Sequence, residues 1–303
     1  MGELFYWLLN MSIAASVTGI VVVLIRLIGK IPRRIFVLFW IIPFIRFCIP
    51  FGIGGKYGLM SLLSQFTTKT VTVYKGDYLK FSMMNTVQAA DSYFPVTYKV
   101  DLLTDVFRYA TYIWAAVMSV IVIVMIVLYL TTIRELKDAA HLRDNIYCSD
   151  KILSPAVYGV FRPKIIIPGS YKELENLDLV ILHEQCHIRR LDNLWRVIAF
   201  LTAAVHWFNP LAWMFLKMYL SDVELACDES VLSRLGEDGK KRYAHTLLDA
   251  RQSRTLFASS FGGAKIRTRI EHIISFKKMT AVSAAGLAIL AAAIAYILLT
   301  NAA

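Results

Sequence analysis

The chain has 303 residues, of which 57% are hydrophobic and only 18% are charged, and its mean hydropathy is +0.55. This composition is too apolar for an ordinary soluble protein and excludes a disordered chain, and four cysteines are too few for a secreted disulfide scaffold. The net charge of +11 does not by itself indicate nucleic-acid binding, because the position of basic residues relative to membrane spans matters more than their sum. We therefore predict a membrane protein.

Four segments have the apolar length of about 20 residues that a helix needs to cross a bilayer, and they are residues 4–28, 34–53, 109–131 and 279–299. The first lacks the basic start and the small-residue cleavage site of a signal peptide, so we expect it to be retained. The second is the least regular, because Pro43, Arg46 and Pro50 interrupt it. An arginine at that depth either pairs within the helix bundle or marks a functional position.

Basic residues near the spans set the predicted orientation. They follow the first span at 30–34 and precede the fourth at 277–278, which places both of these ends in the cytoplasm and both chain termini outside. The predicted organisation is spans 1 and 2 in residues 1–53, an extracellular loop in 54–108, span 3 in 109–131, a cytoplasmic domain in 132–278, and span 4 with a short external tail in 279–303. The basic surface is predicted to contact anionic membrane lipid or an acidic protein.

Residues 178–192 place apolar side chains at helical spacing and contain His183, Glu184 and His187 in the order HExxH. Residues i and i+4 share a helix face, so the two imidazoles can bind one zinc ion there. Glu184 can then act as general base on a water molecule at the metal. The pentapeptide alone is weak evidence, because it also occurs by chance.

A second helical segment, residues 222–230, carries Glu224 and Asp228 four positions apart. A catalytic zinc has three protein ligands and one open position, so Glu224 is the predicted third ligand. Asp228 is predicted to accept the other ring N–H of a zinc histidine and so fix its orientation. Glu229 is the alternative ligand if the helix register differs. The competing interpretation, an acidic solvated helix face, fits poorly with the apolar residues that lie between these carboxylates.

Residues 196–220 are hydrophobic enough to form a fifth span, but a crossing there would put the histidines and the later carboxylate on opposite sides of the membrane. An asparagine and a proline at 209–210 instead predict two helices that meet at a corner. His206 either holds this corner through a hydrogen bond or assists catalysis. Three residues are candidates for stabilising the transition state, and they are His206, Tyr243 and His245.

The β-rich run Lys164–Ile167 lies between two prolines, and we interpret it as an edge strand. An extended peptide substrate can add to such an edge beside the metal, although a purely structural strand has the same pattern. Cys186 and Cys227 adjoin predicted ligands. A thiolate would close the open zinc position, so we expect both sulfur atoms to pack in the core instead.

Five segments occur in an order that resembles the bacterial membrane-bound sensor and antirepressor metallopeptidases of the BlaR/MecR type: PAVYGVFRPKIIIP, HEQCHIRRLDN, HWFNPLAW, ELACDE and FASSFGGAKIRTRIEHI. The resemblance implies a mostly α membrane protein with four transmembrane helices and a cytoplasmic α+β gluzincin-type zinc protease domain between the third and fourth. It implies Zn²⁺ on His183, His187 and Glu224, with Glu184 as base. It also implies a place in the bacterial cell membrane and a homodimer.

The resemblance further implies a zinc endopeptidase of a signalling pathway that cleaves itself, near Ser260 and Phe261, and a cytoplasmic transcriptional repressor. Without the resemblance, the segment around these two residues is a small flexible loop or an inert linker. The best-known members carry a penicillin-binding sensor after the fourth span, whereas only about four residues, through Ala303, follow it here. Sensing of β-lactams, and whether the chain is a truncated protease portion, are therefore open.

Two alternatives to this function remain. One is a zinc protease that trims misfolded or modified membrane proteins, and the other is a non-catalytic receptor that holds zinc structurally. An intact Glu184 argues against the second, because a structural site needs no base. We expect no direct contact with nucleic acid, since no motif for it is present.

Overall fold

A computed structural model of the protein describes residues 4–27, 31–49, 101–152, 154–171, 176–249, 266–276 and 281–299. These residues are mostly helical, and the helices are α1 (Leu4–Leu27), α2 (Arg33–Phe39), α3 (Ile41–Cys48), α4 (Asp101–Glu135), α5 (Leu177–Arg189), α6 (Asp192–Val205), α7 (Pro210–Leu232), α8 (Glu237–Asp249), α9 (Ile266–Ser275) and α10 (Ala281–Leu299). The strands are β1 (Ala140–Arg143), β2 (Ile146–Cys148), β3 (Ala156–Tyr158) and β4 (Lys164–Ile167).

Two of the described helices are long and apolar enough to cross a membrane by length and composition, namely α1 and the part of α4 from Asp105 to Glu135. Half of the apolar window of α1 is buried inside the protein, whereas none of that of α4 is. The exposed apolar surface of α4 is favourable only where lipid, rather than water, covers it. The apolar part of α10, Ala285–Leu299, is shorter than the two candidate spans.

The segment predicted as the second span differs from a single regular helix. It forms α2 and α3, which meet at Trp40, whose backbone keeps helical angles. Pro43 has no N–H to bond the carbonyl four residues earlier, at Phe39, and this explains the local break. Arg46 is buried, and its Nε donates to the carbonyl of Leu298 at 3.0 Å. The arginine therefore pairs within the helix bundle.

The largest apolar core joins the N-terminal helices to α7. Phe36, Trp40 and Phe47 pack there against Phe215 and Leu216, all almost fully buried. A Cβ at Gly19 of α1 would overlap the ring of Phe215, so glycine allows α1 and α7 to approach closely. This packing fixes α7, the helix that carries the predicted third metal ligand, against the apolar N-terminal part of the chain.

The sheet has the strand order β1-β2-β4-β3, with β2 and β4 parallel and the outer pairs antiparallel. The prediction that Lys164–Ile167 is an edge strand is therefore wrong, because β4 pairs on both sides. The two prolines flank β4 without removing any ladder hydrogen bond, and Ile165, Ile166 and Ile167 are buried. The strand at the edge beside α5 is β3.

The predicted corner is confirmed. Helix α6 ends at Val205, and α7 begins at Pro210 with Asn209 as its N-cap, whose side-chain oxygen accepts from the Leu211 N–H at 2.9 Å. His206 is fully buried at this corner, and its Nε2 donates to the carbonyl of Phe47 at 2.9 Å. The structure thus supports the interpretation of His206 as a residue that holds the corner.

Candidate metal centre

Helix α5 presents both HExxH histidines on one face. His183 and His187 are buried, and their Nε2 atoms lie 3.2 Å apart. Leu179 and Ile181 of the same helix belong to two different apolar clusters, so α5 is anchored on both sides. Glu184 is also buried and lines the same pocket as the two imidazoles.

Helix α7 brings Glu224 to these histidines. One carboxylate oxygen, Oε2, lies 3.6 Å from Nε2 of His183, and the other, Oε1, lies 3.6 Å from Nε2 of His187. Ligands about 2.0 to 2.2 Å from a tetrahedral zinc ion lie about 3.4 Å from one another. The three side chains therefore have the donor types and the spacing that a zinc ion requires, with the ligand atoms within 4.8 Å of one another.

The remaining nitrogen of His187 faces a different set of residues. Its Nδ1 lies 2.7 Å from Oδ2 of Asp192 and 3.2 Å from the sulfur of Cys227. Leu191 adopts a left-handed conformation (φ 56°) between α5 and α6, and this tight turn returns Asp192 to the histidine. A carboxylate at this position fixes the ring so that Nε2 faces the metal position. The group His187, Asp192 and Cys227 is itself close enough to hold an ion, but a hydrogen bond already joins its histidine and its carboxylate.

The outer nitrogen of His183 has its own partners. Nδ1 lies 2.9 Å from the hydroxyl of Tyr243, which donates to Oδ1 of Asp228 at 2.7 Å. Asp228 itself is 3.4 Å from Nδ1. Burial and the charge of Asp228 raise the pKa of Tyr243 well above its ordinary value, so the phenol keeps its proton and remains a donor. Asp228 thus lies beside His183, a predicted metal ligand, as expected. The hydroxyl of Tyr243 contacts both His183 and Asp228.

Two arginines neutralise these carboxylates. Arg269 donates to both oxygens of Asp228, at 2.8 Å and 2.6 Å, and its Nη1 is 3.6 Å from Glu224. Arg196 donates to Glu224 at 2.6 Å. Burial opposes ionisation of Glu224, but His187, His183 and the two arginines outweigh it and hold its pKa well below the ordinary range. Glu224 is therefore an anion, as a metal ligand must be.

A cavity of about 400 Å³ opens onto these groups. Its walls include Ala156 and Val157 of the edge strand β3 on one side and Ile266 of α9 on another. Asn193 donates to the carbonyls of Val157 and Gly159 at 3.0 Å each, which fixes this strand relative to α6. The cavity therefore brings residues of the edge strand β3, the carboxyl group of Glu184 and the group His183, His187 and Glu224 into one place.

The structure does not bring every predicted residue to this centre. His245 is exposed and, like His206, is not among the residues that line the cavity. Glu229 points elsewhere and accepts from the backbone N–H groups of Arg33 and Arg34 at 2.8 Å and 2.9 Å. The alternative assignment of Glu229 as ligand is therefore wrong. Ser260 and Phe261 lie outside the described residues.

Sequence reasoning missed Asp192, Arg196 and Arg269. Arg196 stands in an otherwise apolar helical run, and Asp192 opens that run. Charged residues in an apolar helix are unfavourable unless they are paired. Both positions could therefore have been predicted from the sequence to be buried and paired. Arg269 lies among other charged residues, and nothing in its local sequence distinguishes it.

An HExxH helix and a later helical glutamate around one cavity are typical of the metallopeptidase class of site. The family model described as BlaR1 peptidase M56 matches residues 6–273, and the chain belongs to this family. The family resemblance in the sequence is thereby confirmed.

Named relatives agree with this family. Regulatory protein BlaR1 of Bacillus licheniformis is 34% identical over 138 residues, which cover 43% of this chain and 23% of that protein. The methicillin resistance mecR1 protein of Staphylococcus aureus is 29% identical over 103 residues, covering 33% of this chain and 18% of that protein. The regulatory protein BlaR1 of Staphylococcus aureus is 26% identical over 125 residues, covering 39% and 21%. The matches thus span less than a quarter of these relatives.

Proposed function

We propose that the chain is a zinc endopeptidase of a signal-transduction pathway in the bacterial cell membrane. Its protease domain, residues 132–278, lies in the cytoplasm between the third and fourth predicted spans, and both termini are outside. The observation that carries the proposal is the convergence of His183, His187 and Glu224 within 4.8 Å beside the buried Glu184. Membership of a peptidase family supports it.

When bound, zinc would supply a Lewis acid for the scissile carbonyl and lower the pKa of a water molecule toward about 7. Glu184 takes the proton from the attacking water and later delivers it to the leaving amine. Its burial in the wall of the cavity keeps the proton transfer away from bulk solvent. Asp192 and the Tyr243–Asp228 pair orient the imidazoles of His187 and His183.

Tyr243 and Arg269 are assigned different roles in the cavity. Tyr243 is engaged with His183 and Asp228, so it acts first as a positioning residue, and it can stabilise the transition state only if its hydroxyl turns away from them. Arg269 is buried and places Nη1 nearest to Glu224, while its other nitrogens hold Asp228. We assign to this guanidinium the stabilisation of negative charge that develops in the cavity.

The proposed substrates are the chain itself and a cytoplasmic transcriptional repressor, with self-cleavage near Ser260 and Phe261. Support comes from α9, which begins at Ile266, only five residues after Phe261. Ile266 and Arg269 both line the cavity, so the first turn of α9 lies beside the proposed metal centre. We propose a homodimer that contacts anionic lipid and does not bind nucleic acid.

The test is self-cleavage of the reconstituted full chain with and without zinc, followed by intact mass measurement. Glu184→Gln keeps the size of the side chain and removes the base, so cleavage should fall by at least about 100-fold while zinc remains bound. Glu135→Gln, an exposed residue at the end of α4, is the matched control and should cleave normally. If Glu184→Gln cleaves at the wild-type rate, the proposed mechanism is wrong. If zinc binds but the wild-type chain cleaves neither itself nor a repressor, either the activating signal from outside is missing or the non-catalytic receptor is favoured.

A further inference from the structure

A second cavity, of about 300 Å³, lies between α2, α3, the turn after α5, the start of α6, and α7. Two arginines line it, Arg34 at the start of α2 and Arg190 at the end of α5. Its other walls are largely apolar and include Leu38, Ile41 and Phe44. The cavity is therefore amphipathic, with cationic groups and an apolar wall in one space.

Both guanidinium groups retain hydrogen-bonding capacity. The nearest carboxylates are Glu229, 3.7 Å from Nε of Arg34, and Asp192, 3.4 Å from Nε of Arg190. In the described part of the chain neither side chain donates a hydrogen bond within the usual limits, whereas Arg269 and Arg196 do. The Arg34 and Arg190 side chains are 36% and 22% exposed, so an anion can reach them. Two accessible arginines in one cavity favour a phosphate-type ligand.

The apolar wall of this second cavity runs along α2 and α3, away from Arg34. Leu38, Ile41 and Phe44 follow Arg34 along one side of α2 and α3 at helical spacing, and they belong to the segment predicted to enter the bilayer. Leu38 is 58% exposed, and Trp195 on the facing wall is 40% exposed. Tryptophan is enriched at the membrane–water interface. The wall therefore leads from the cytoplasmic interface at Arg34 toward the hydrocarbon.

We propose that this cavity binds one anionic phospholipid, with its phosphate against Arg34 and Arg190 and an acyl chain along Leu38, Ile41 and Phe44. This rests on the orientation given under the proposed function, in which Arg34 lies at the cytoplasmic leaflet, where such headgroups are supplied. A soluble phosphate would satisfy the arginines but leave the apolar wall uncovered. The cavity is at the lower end of the size range of ligand pockets, so it encloses the headgroup end while the chain continues over Leu38.

The experiment is native mass spectrometry of the full chain in detergent with equimolar phosphatidylglycerol and phosphatidylcholine of identical acyl chains. We expect one phosphatidylglycerol to be retained in preference. Arg34→Gln or Arg190→Gln should weaken this binding about fivefold each, and the double variant about 30-fold. Arg267→Gln removes the same charge from a side chain that is 89% exposed and does not line the cavity, so it should have no effect.

Two further samples separate charge, folding and ligand source. Replacement of both arginines by lysine keeps the charge, so the preference should survive in part even if the glutamine variants fold poorly. Glycerol 3-phosphate, which has the phosphate but no acyl chain, should not displace the lipid at equal concentration. Three results would overturn the proposal: equal retention of both lipids, a preference unchanged in the double glutamine variant, or displacement by glycerol 3-phosphate, which would indicate a soluble phosphate ligand.

Discussion

Helix α7 carries acidic residues on two faces, and the two faces meet different parts of the molecule. Glu224 and Asp228 face α5 and the cavity of the metal centre. Asp222 and Glu229 face the end of α1 and the start of α2, and we call this side the connection face. Asp222 is fully buried and accepts from Arg26 at 3.0 Å, Arg33 at 3.3 Å and Trp40 at 2.9 Å. Glu229 accepts from the first N–H groups of α2 and from His272.

The difference lies in whether a gap remains between a carboxylate and the histidines beside it. On the connection face, hydrogen bonds of about 3 Å satisfy each carboxylate, and Glu229 stabilises the positive end of the α2 dipole. On the metal face, Glu224 also accepts a hydrogen bond from Arg196, at 2.6 Å, but its oxygens stay 3.6 Å from the two imidazoles, beside an open cavity. Helix α7 thus carries on one face the ion pairs that join it to α1 and α2, which we call the structural link. On the other face it carries a centre that has room for an ion.

The largest effect expected to break the structural link comes from Asp222→Asn. It leaves the partly buried charges of Arg26 and Arg33 without their anion, so we expect a loss of about 3 kcal/mol in the free energy of unfolding, the lower end of the range for a broken buried pair. Thermal unfolding in detergent measures this loss. Asp138→Asn removes a carboxylate that is 77% exposed and pairs with Lys151, so it should cost no more than about 1 kcal/mol. Equal shifts in the two variants would contradict the assignment of Asp222.

A smaller effect, confined to the metal face, is expected from Asp192→Asn. The amide loses the negative charge that fixes the ring of His187, so zinc affinity should fall about 10-fold to 100-fold. Competition with a chromophoric chelator measures the affinity. Asp222→Asn, studied below its unfolding temperature, should keep the wild-type affinity. Similar losses of zinc in both variants would mean that the two faces of α7 are not separate.

The smallest effect is expected from Glu229→Gln. The glutamine keeps an oxygen acceptor but loses the charge at the N-terminus of α2, so stability should fall by about 1 kcal/mol. The midpoint of thermal unfolding measures it. Glu271→Gln, at a side chain that is 61% exposed on α9, should shift the midpoint less. Loss of zinc from Glu229→Gln at normal stability would instead support a ligand role for Glu229.

Local periodicity determined much of the metal centre in advance. Residues four apart share a helix face, so His183 and His187, and likewise Glu224 and Asp228, had to lie together once their segments were helical. The same rule puts Glu229 about 140° from Glu224 around the helix, so only one of the two can face the histidines. Which one does so was decided by the packing of α7. The proline at position 210 likewise determined the corner, because it cannot continue a helix from the preceding turn.

The tertiary structure alone decided which distant charges pair. Arg269 meets Asp228 across 41 positions of sequence, and Arg26 meets Asp222 across 196, because of how α9 and α1 pack on α7. The central place of β4 was decided in the same way, since an isolated apolar strand does not reveal how many neighbours it pairs with. The sequence by itself determined which residues share a helix face, because that follows from backbone geometry. Packing between helices determined what each face meets, because burial of a charge is favourable only where a particular partner is brought to it.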